Sequence, residues 1–238
     1  MKYWLLFIMC GIGFLGFSQR EKVMNYRKFD QRIMHFGFTL GANMTSVKVT
    51  PRLDAYSNYD LLQVENIPQP GAQVGVLTTI KLGIPIFRLR FIPTISFQEK
   101  LFRYKYLMFG GTLNEPYINE ERVGSVNLDF PLMLQLRTLR VNNFAAYVLG
   151  GFQYSLDLQS QEKATQSDLD PFLKFKKHDY QFQVGGGVEF FFPFFKMGIE
   201  LKMSQSFKST FINDNTYISN PIDRMLQRTW WFSLIFEG

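Results

Sequence analysis

Cysteine is almost missing from this chain: Cys10 is the only one in 238 residues. It lies in an apolar N-terminal stretch, and Ile8-Met9 before it are not the small residues that a lipid-modified cysteine needs. Once that stretch is removed no thiol remains, which excludes disulfides and thiolate metal sites. Histidine is nearly as scarce, with only His35 and His178. Long hydrophobic runs are also lacking. Apart from the apolar residues at 4–17, nothing approaches the roughly 20 apolar residues of a spanning helix. A membrane-embedded form of this chain is therefore a β-barrel. There is no sequence repeat, low-complexity tract or second domain. The formal charge of +6 is spread along the chain. That reads as a solvated or headgroup-facing surface and not as a nucleic-acid footprint.

The first 18 residues have the layout of a secretory leader. Lys2 supplies the positive start, residues 4–17 the apolar centre, and Gly16-Phe17-Ser18 a small-x-small cleavage site before Gln19. The apolar stretch is too short for a transmembrane anchor. Removing the leader takes Lys2 with it and lowers the charge from +6 to +5. The expected organisation is a leader at 1–18, a polar and mobile periplasmic segment at 19–32, and one barrel domain at 33–238.

What the chain does have is alternation. From Asp179 to Phe192 one face carries Tyr180, Phe182, Val184, Gly186, Val188, Phe190 and Phe192. The other carries Asp179, Gln181, Gln183, Gly185, Gly187, Glu189 and, at its end, Phe191. Side chains alternate across a strand, so this is one apolar and one polar or small face. The stretch exceeds the 9–11 residues that a tilted strand needs to cross a bilayer. Seven other segments repeat the pattern, at about 35–47, 72–82, 87–98, 123–136, 144–158, 195–207 and 228–237. Short links at 83–86, 137–143 and Pro193-Phe194 alternate with long polar ones at about 48–71, 99–122, 159–178 and 208–227. The expectation is an all-β, eight-stranded antiparallel up-and-down barrel of the outer-membrane type, with both termini periplasmic. Pro93 and Pro131 fall inside strands, where a bulge is the expected accommodation.

A soluble, lipocalin-like barrel would place the apolar face inward. Three features argue against it. The apolar face is uniformly large, whereas eight strands enclose an interior that side chains just fill. The polar face mixes glycines with Lys81, Arg88, Arg90, Asp129, Glu189, Glu200 and Lys202. Aromatics gather at both segment ends: Tyr154, Tyr180, Phe207 and Trp230 toward the long loops, and Phe87, Phe192, Phe195 and Phe236 toward the short turns.

Little of this suggests a reaction. His35 and His178 fall at opposite ends of such a barrel, and no serine is spaced to complete a triad with His178 and Asp179. The inward charges read as mutually neutralised filling and not as an ion path. Gly185-Gly186-Gly187 lies mid-strand, without the strand-to-helix context of a phosphate loop, and makes room for a bulky neighbour across the lumen. No catalytic, cofactor or metal residue is expected, and no small-molecule substrate.

The run PGAQVGVLTTIKLGIPIFRLRFIPTISF at 70–97 resembles the PorT family of Bacteroidetes outer-membrane proteins. HFGF at 35–38 followed by Leu40-Gly41 and Asn43 resembles the family's first strand. LDFPLMLQL at 128–136 and YVLGG at 147–151 are shared with a broader group of such barrels. One departure is Gln98-Glu99-Lys100, where the family pattern has a Gly and an Arg. The resemblance implies an outer-membrane component of the type IX (Por) secretion system, which exports proteins bearing a C-terminal sorting domain and supports gliding in some members. Its partners would be outer-membrane lipid and other subunits of that system. The alternative is a small stand-alone barrel, an adhesin or membrane stabiliser. A lipid-modifying enzyme is a third reading.

Overall fold

The structure is a computed structural model, which describes residues 24–59, 61–106, 117–162, 172–216 and 218–238. The leader at 1–18 and the first residues of the 19–32 segment lie outside the described residues. A 3-10 turn at Arg27–Gln31 precedes β1 (Met34–Pro51), α1 (Ala55–Tyr59), β2 (Leu61–Lys81), β3 (Phe87–Phe91) and β4 (Thr94–Tyr106). Next come β5 (Tyr117–Arg137), β6 (Phe144–Asp157), β7 (Lys174–Phe175), β8 (His178–Phe191), β9 (Lys196–Ser206), β10 (Phe211–Ile212) and β11 (Ile222–Glu237).

All long strands pair antiparallel with their sequence neighbours, and β1 pairs both β2 and β11, so the sheet closes on itself. Because β3 and β4 run in line as one interrupted strand, the ring has eight staves, as the alternation required. The short β7–β10 ladder lies apart from the ring, among the long connections. Tight turns use the backbone freedom that they need: Gly83 and Asn142 both have positive φ. The start of β1 and the end of β11 pair at the short-turn end (Gly37 opposite Glu237). In outer-membrane barrels that end is periplasmic.

The outer wall has the composition of a lipid surface. Val76, Phe152 and Leu201 are 61%, 69% and 54% exposed, and Phe97, Leu132 and Phe232 lie on the same exterior. A soluble protein rarely exposes so continuous an apolar area. Both aromatic rims are present. Tyr154 packs on Tyr180 and Phe207 on Phe182 at one end. Phe192 stacks on Phe195 and Phe38 on Phe236 at the other.

Two expectations are corrected. Neither Pro93 nor Pro131 is bulged. Register is the same on both sides of the break, with Gly75 opposite Thr94 and Thr78 opposite Phe91. Pro131 sits in an unshifted ladder opposite Gln153. The prolines instead lie side by side: Ile92 N–H donates to the Pro131 carbonyl at 3.2 Å, and Val76 N–H to the Pro93 carbonyl at 3.0 Å. Their missing donors thus fall in one place, and the sheet answers with the two-residue gap between β3 and β4. The two register shifts of β2 against β4 come lower in the sequence, between Leu61 and Gln63 and between Pro68 and Ala72.

The second correction is strand length. β2 and β5 each span 21 residues, about twice what a tilted membrane crossing needs. β2, β4, β5 and β11 all continue through residues expected to be loop, and Pro68 and Pro70 lie within β2. Above the membrane the same alternation persists with its polarity reversed. On β4 the inward series Thr94, Ser96, Gln98, Lys100 becomes Phe102, Tyr104, Tyr106, all buried. Outward, Ile95 and Phe97 give way to Glu99, Arg103 and Lys105. The largest apolar core of the protein lies here, where Phe102, Tyr104, Phe175, Phe211, Ile222 and Met225 meet beneath α1, β7 and β10.

Candidate functional site: a lumen closed at both ends

The lumen is built from the inward positions, and the expected inward charges are there. Arg88, Arg90, Asp129, Glu189, Glu200 and Lys202 are all buried. In the short-turn half they form one network. Arg90 Nη1 lies 2.7 Å from Glu200 Oε2, and its Nη2 is 3.2 Å from Glu237 Oε1. Lys196 Nζ bridges Glu189 at 2.7 Å and Glu237 at 2.9 Å. Lys202 and the Tyr147 hydroxyl hold Glu200 from two further sides, at 2.9 and 2.7 Å. Arg137 Nε sits 2.9 Å from Glu189 Oε2. Buried charge is tolerated only when it is paired and hydrogen-bonded in this way.

The middle of the lumen is polar and joined by hydrogen bonds. Asp129 accepts from Ser96 Oγ at 2.6 Å, from Gln153 Nε2 at 2.9 Å and from Ser155 Oγ. Thr45 bonds Gln98 at 3.1 Å, and Gln227 Nε2 donates to the same Gln98 at 2.9 Å. Gln183 donates to Gln153 beside them. The inner glycines make the space for these side chains. A Cβ on Gly187 would stand 2.6 Å from the Tyr147 hydroxyl, and one on Gly185 2.8 Å from Lys202 Cγ. The bulky neighbours come from the adjacent strands β6 and β9 and not, as expected, from across the lumen, because the nearest side chains to an inward glycine are those paired beside it.

Each end is closed differently. At the long-loop end the apolar core seals the barrel, with Phe102 stacked on Phe175 at 5.9 Å. Lys100 marks the seam between polar lumen and apolar core, its ammonium 4.4 Å from the Phe175 ring. At the short-turn end the seal is the segment expected to be a mobile leader. Its described part, residues 24–32, packs against the barrel mouth. Phe29 is fully buried, stacked on His35 at 3.7 Å and edge-on to Phe191 at 5.7 Å. Asp30 meets Arg137 at 2.9 Å, and Arg88 and Arg140 each at 3.4 Å. Burial pushes the Asp30 carboxyl up, but the hydrogen bond and charge of Arg137, with Arg88 and Arg140 beside it, hold it below the ordinary carboxylate value. The backbone of Asn25 is fixed by Asn143 Oδ1 at 2.8 Å and by Arg140. A polar composition concealed this docking, because one aromatic and one carboxylate suffice for it.

The two histidines are placed apart, as expected. His35 lies under Phe29 at one mouth. His178 is at the long-loop end and bonds the Tyr154 hydroxyl through Nδ1 at 2.7 Å. His178 is exposed, whereas its neighbour Asp179 accepts from Ser206 Oγ at 2.6 Å and Gln181 Nε2 at 2.7 Å. Successive strand residues point to opposite faces, so the two do not form an acid–base pair. Among the described residues no cluster of His, Cys, Asp and Glu could hold a metal ion.

Several network members went unassigned in the sequence. Arg137 is the last residue of β5 and read as the start of a turn. Tyr147 belonged to the glycine-blurred segment, and Asp30 to the leader. Lys196 and Glu237 stood on the polar faces of their segments, and only the closed ring reveals that they converge.

The family model for the outer membrane protein beta-barrel domain matches residues 17–212. No curated protein sequence matches the chain. Among solved structures it is similar to Ail of Yersinia pestis, crystallised with the heparin analogue sucrose octasulfate. That likeness has 11% identity and a TM-score of 0.39, and covers 87% of this chain and 100% of that one. It is also similar to OprG of Pseudomonas aeruginosa (12% identity, TM-score 0.41, 86% and 94% covered). Neisserial surface protein A is a third, at 9% identity, TM-score 0.37, and 83% and 95% covered. The family match spans most of the chain and agrees with its closed antiparallel ring and lipid-type wall. The chain belongs to the outer membrane protein beta-barrel family, and its place in the cell is the outer membrane.

Proposed function

We propose that this protein is a non-enzymatic component of the type IX (Por) secretion system, required for export of proteins with a C-terminal sorting domain and, in organisms that glide, for motility. The observation that carries the reading is the likeness of residues 70–97, PGAQVGVLTTIKLGIPIFRLRFIPTISF, to the PorT family. That stretch covers the end of β2, all of β3 and the start of β4. The lumen supports an accessory or assembly role. An eight-stranded interior filled by paired charges and closed at both ends has no room for a passing polypeptide. Its partners are other subunits of the system, docking on the crown of long connections or on the short-turn mouth.

Deleting the gene should leave cargo with C-terminal sorting domains in the periplasm, still synthesised and still exported across the inner membrane. A complementing gene carrying His178→Ala should restore secretion fully. Normal secretion and motility in the deletion strain would refute the assignment. The small stand-alone barrel, an adhesin or membrane stabiliser, would then be the surviving reading.

A further inference from the structure

The short-turn mouth holds more positive charge than its partners neutralise. Arg88, Arg137 and Arg140 all converge on the carboxylate of Asp30, and Arg137 also reaches Glu189 at 2.9 Å. Arg88 is 1% exposed, and its Nε and Nη1 have no hydrogen-bond partner; Arg137 Nη2 has none either. Unpaired guanidinium nitrogens at this depth are costly, and although Glu189 Oε2 and Glu237 Oε2 nearby also lack hydrogen bonds, an incoming acceptor would satisfy them. Beside the arginines is an aromatic slot. His35 and Phe191 flank the ring of Phe29, Lys196 lies 4.8 Å from that ring, and Arg140 lies 3.9 Å over Phe191. The pocket thus reads two features of a peptide at once, an aromatic ring and the carboxylate that follows it.

The segment that fills the pocket is weakly built. Among its described residues Phe29 is the one fully buried apolar side chain, and the Asp30 side chain remains 35% exposed. The segment's 3-10 turn has no side-chain cap, and Tyr26 before it takes a left-handed φ of 49°. Besides the bonds to Asn25 and that of Lys81 Nζ to the Asp30 carbonyl, its hold rests on one buried aromatic and one partly solvated carboxylate, a contact that a competing chain can exchange.

We propose that the short-turn mouth is a receptor for an aromatic–acidic peptide segment of a partner protein. Phe29-Asp30 is its resident intramolecular ligand, displaced when the partner binds. An incoming segment with a second acidic residue would also satisfy the free nitrogens of Arg88, which Asp30 alone does not. The inference stands on the mouth's geometry and does not depend on the secretion reading.

The test uses the full chain in detergent micelles and a fluorescent peptide of residues 25–32. Protein carrying Phe29→Ala with Asp30→Asn, its resident ligand disabled, should bind the peptide saturably. Wild type should bind at least about tenfold more weakly, because its own segment competes. Replacing the peptide's Phe or its Asp should each weaken binding about tenfold or more, as should Arg140→Gln in the protein. Displacement is read separately in wild type. With Cys10→Ala, a spin label on Gln31→Cys should become mobile when unlabelled peptide is added. No saturable binding to correctly folded Phe29→Ala/Asp30→Asn protein would overturn the proposal. Equal binding of a peptide lacking the aromatic, or equivalent occupancy by inorganic phosphate alone, would also overturn it and leave only an anion site. If secretion proves independent of the gene while the peptide binds as described, the receptor stands and the secretion reading falls.

Discussion

Strand β4 passes through two environments that demand opposite faces. Up to Gln98 its inward side chains are polar and its outward ones apolar; from Phe102 onward the inward ones are aromatic and the outward ones charged. In the lower section, lipid removes any penalty for exterior hydrocarbon, so the wall is apolar and the lumen takes the polar groups. In the upper section water surrounds the wall, and the barrel reverts to a soluble protein's rule, with an apolar core inside. Surface pairs such as Arg103–Glu120 and Arg122–Glu99 decorate that exterior, where each contributes little. The two sections share a backbone and a period, so what differs is the solvent and not the fold.

The strongest way to break this comparison is within one strand and one residue type. Phe102→Ala, in the crown core, should cost about 3–5 kcal/mol. Phe97→Ala, five residues earlier and facing lipid, should cost far less. Urea unfolding of the barrel in lipid vesicles, with protease sensitivity of the crown as a local probe, separates them; equal costs would deny the inversion. Glu200→Gln should be comparably severe, about 3–5 kcal/mol, because it takes the carboxylate from Lys202 and leaves Arg90 with Glu237 and Glu189 alone, one buried positive charge in excess. That loss should appear in global unfolding and spare the crown's protease resistance.

Next in size is the wall itself. Leu201→Arg should cost on the order of 2–4 kcal/mol and impair insertion, while Arg103→Leu in the crown should stay within about 0.5 kcal/mol. Insertion yields into vesicles read both, and a harmless Leu201→Arg would mean that the faces are inverted. Gly187→Ala should cost about 1–3 kcal/mol, since its methyl would meet the Ile199 carbonyl oxygen of β9 at 2.5 Å and the Tyr147 hydroxyl, which bonds Glu200, at 2.6 Å.

The smallest effect is a pH dependence at the mouth. Asp30 has a depressed carboxyl pKa when docked, so its contribution is complete above the ordinary carboxylate value of about 3.9 and fades as pH falls through the folded value below it. A label on Gln31→Cys should therefore stay immobile from neutral pH to about 5 and loosen only in stronger acid, with the crown unchanged. Loosening near neutral pH would contradict the arginine docking.

The lower section was legible because its alternation is pure: β8 needs only the split between Phe182, Val184, Val188 and Gln181, Gln183, Glu189. Strand count, turn placement and both aromatic rims follow from that same period. The crown was not legible, because the period continues while its sign changes. Gln98-Glu99-Lys100 breaks the apolar series and looks like a loop, yet Lys100 is the inward seam beneath Phe175. Phe29 was hidden by the polar residues around it. Pro131 was placed correctly in a strand, whereas Pro93 falls in the gap between β3 and β4, and sequence does not reveal that the two are neighbours. Of the lumen, the members were visible and the partners were not, since pairing across strands such as Arg90 with Glu200 depends on ring closure.

The central claim is that two different seals close a filled barrel. Purified protein in planar bilayers tests it most directly. The account predicts no steady conductance, either for wild type or after removal of residues 19–32, because the charge network fills the lumen behind that plug. Stable channels of large conductance in the intact chain would contradict it and restore an open pore.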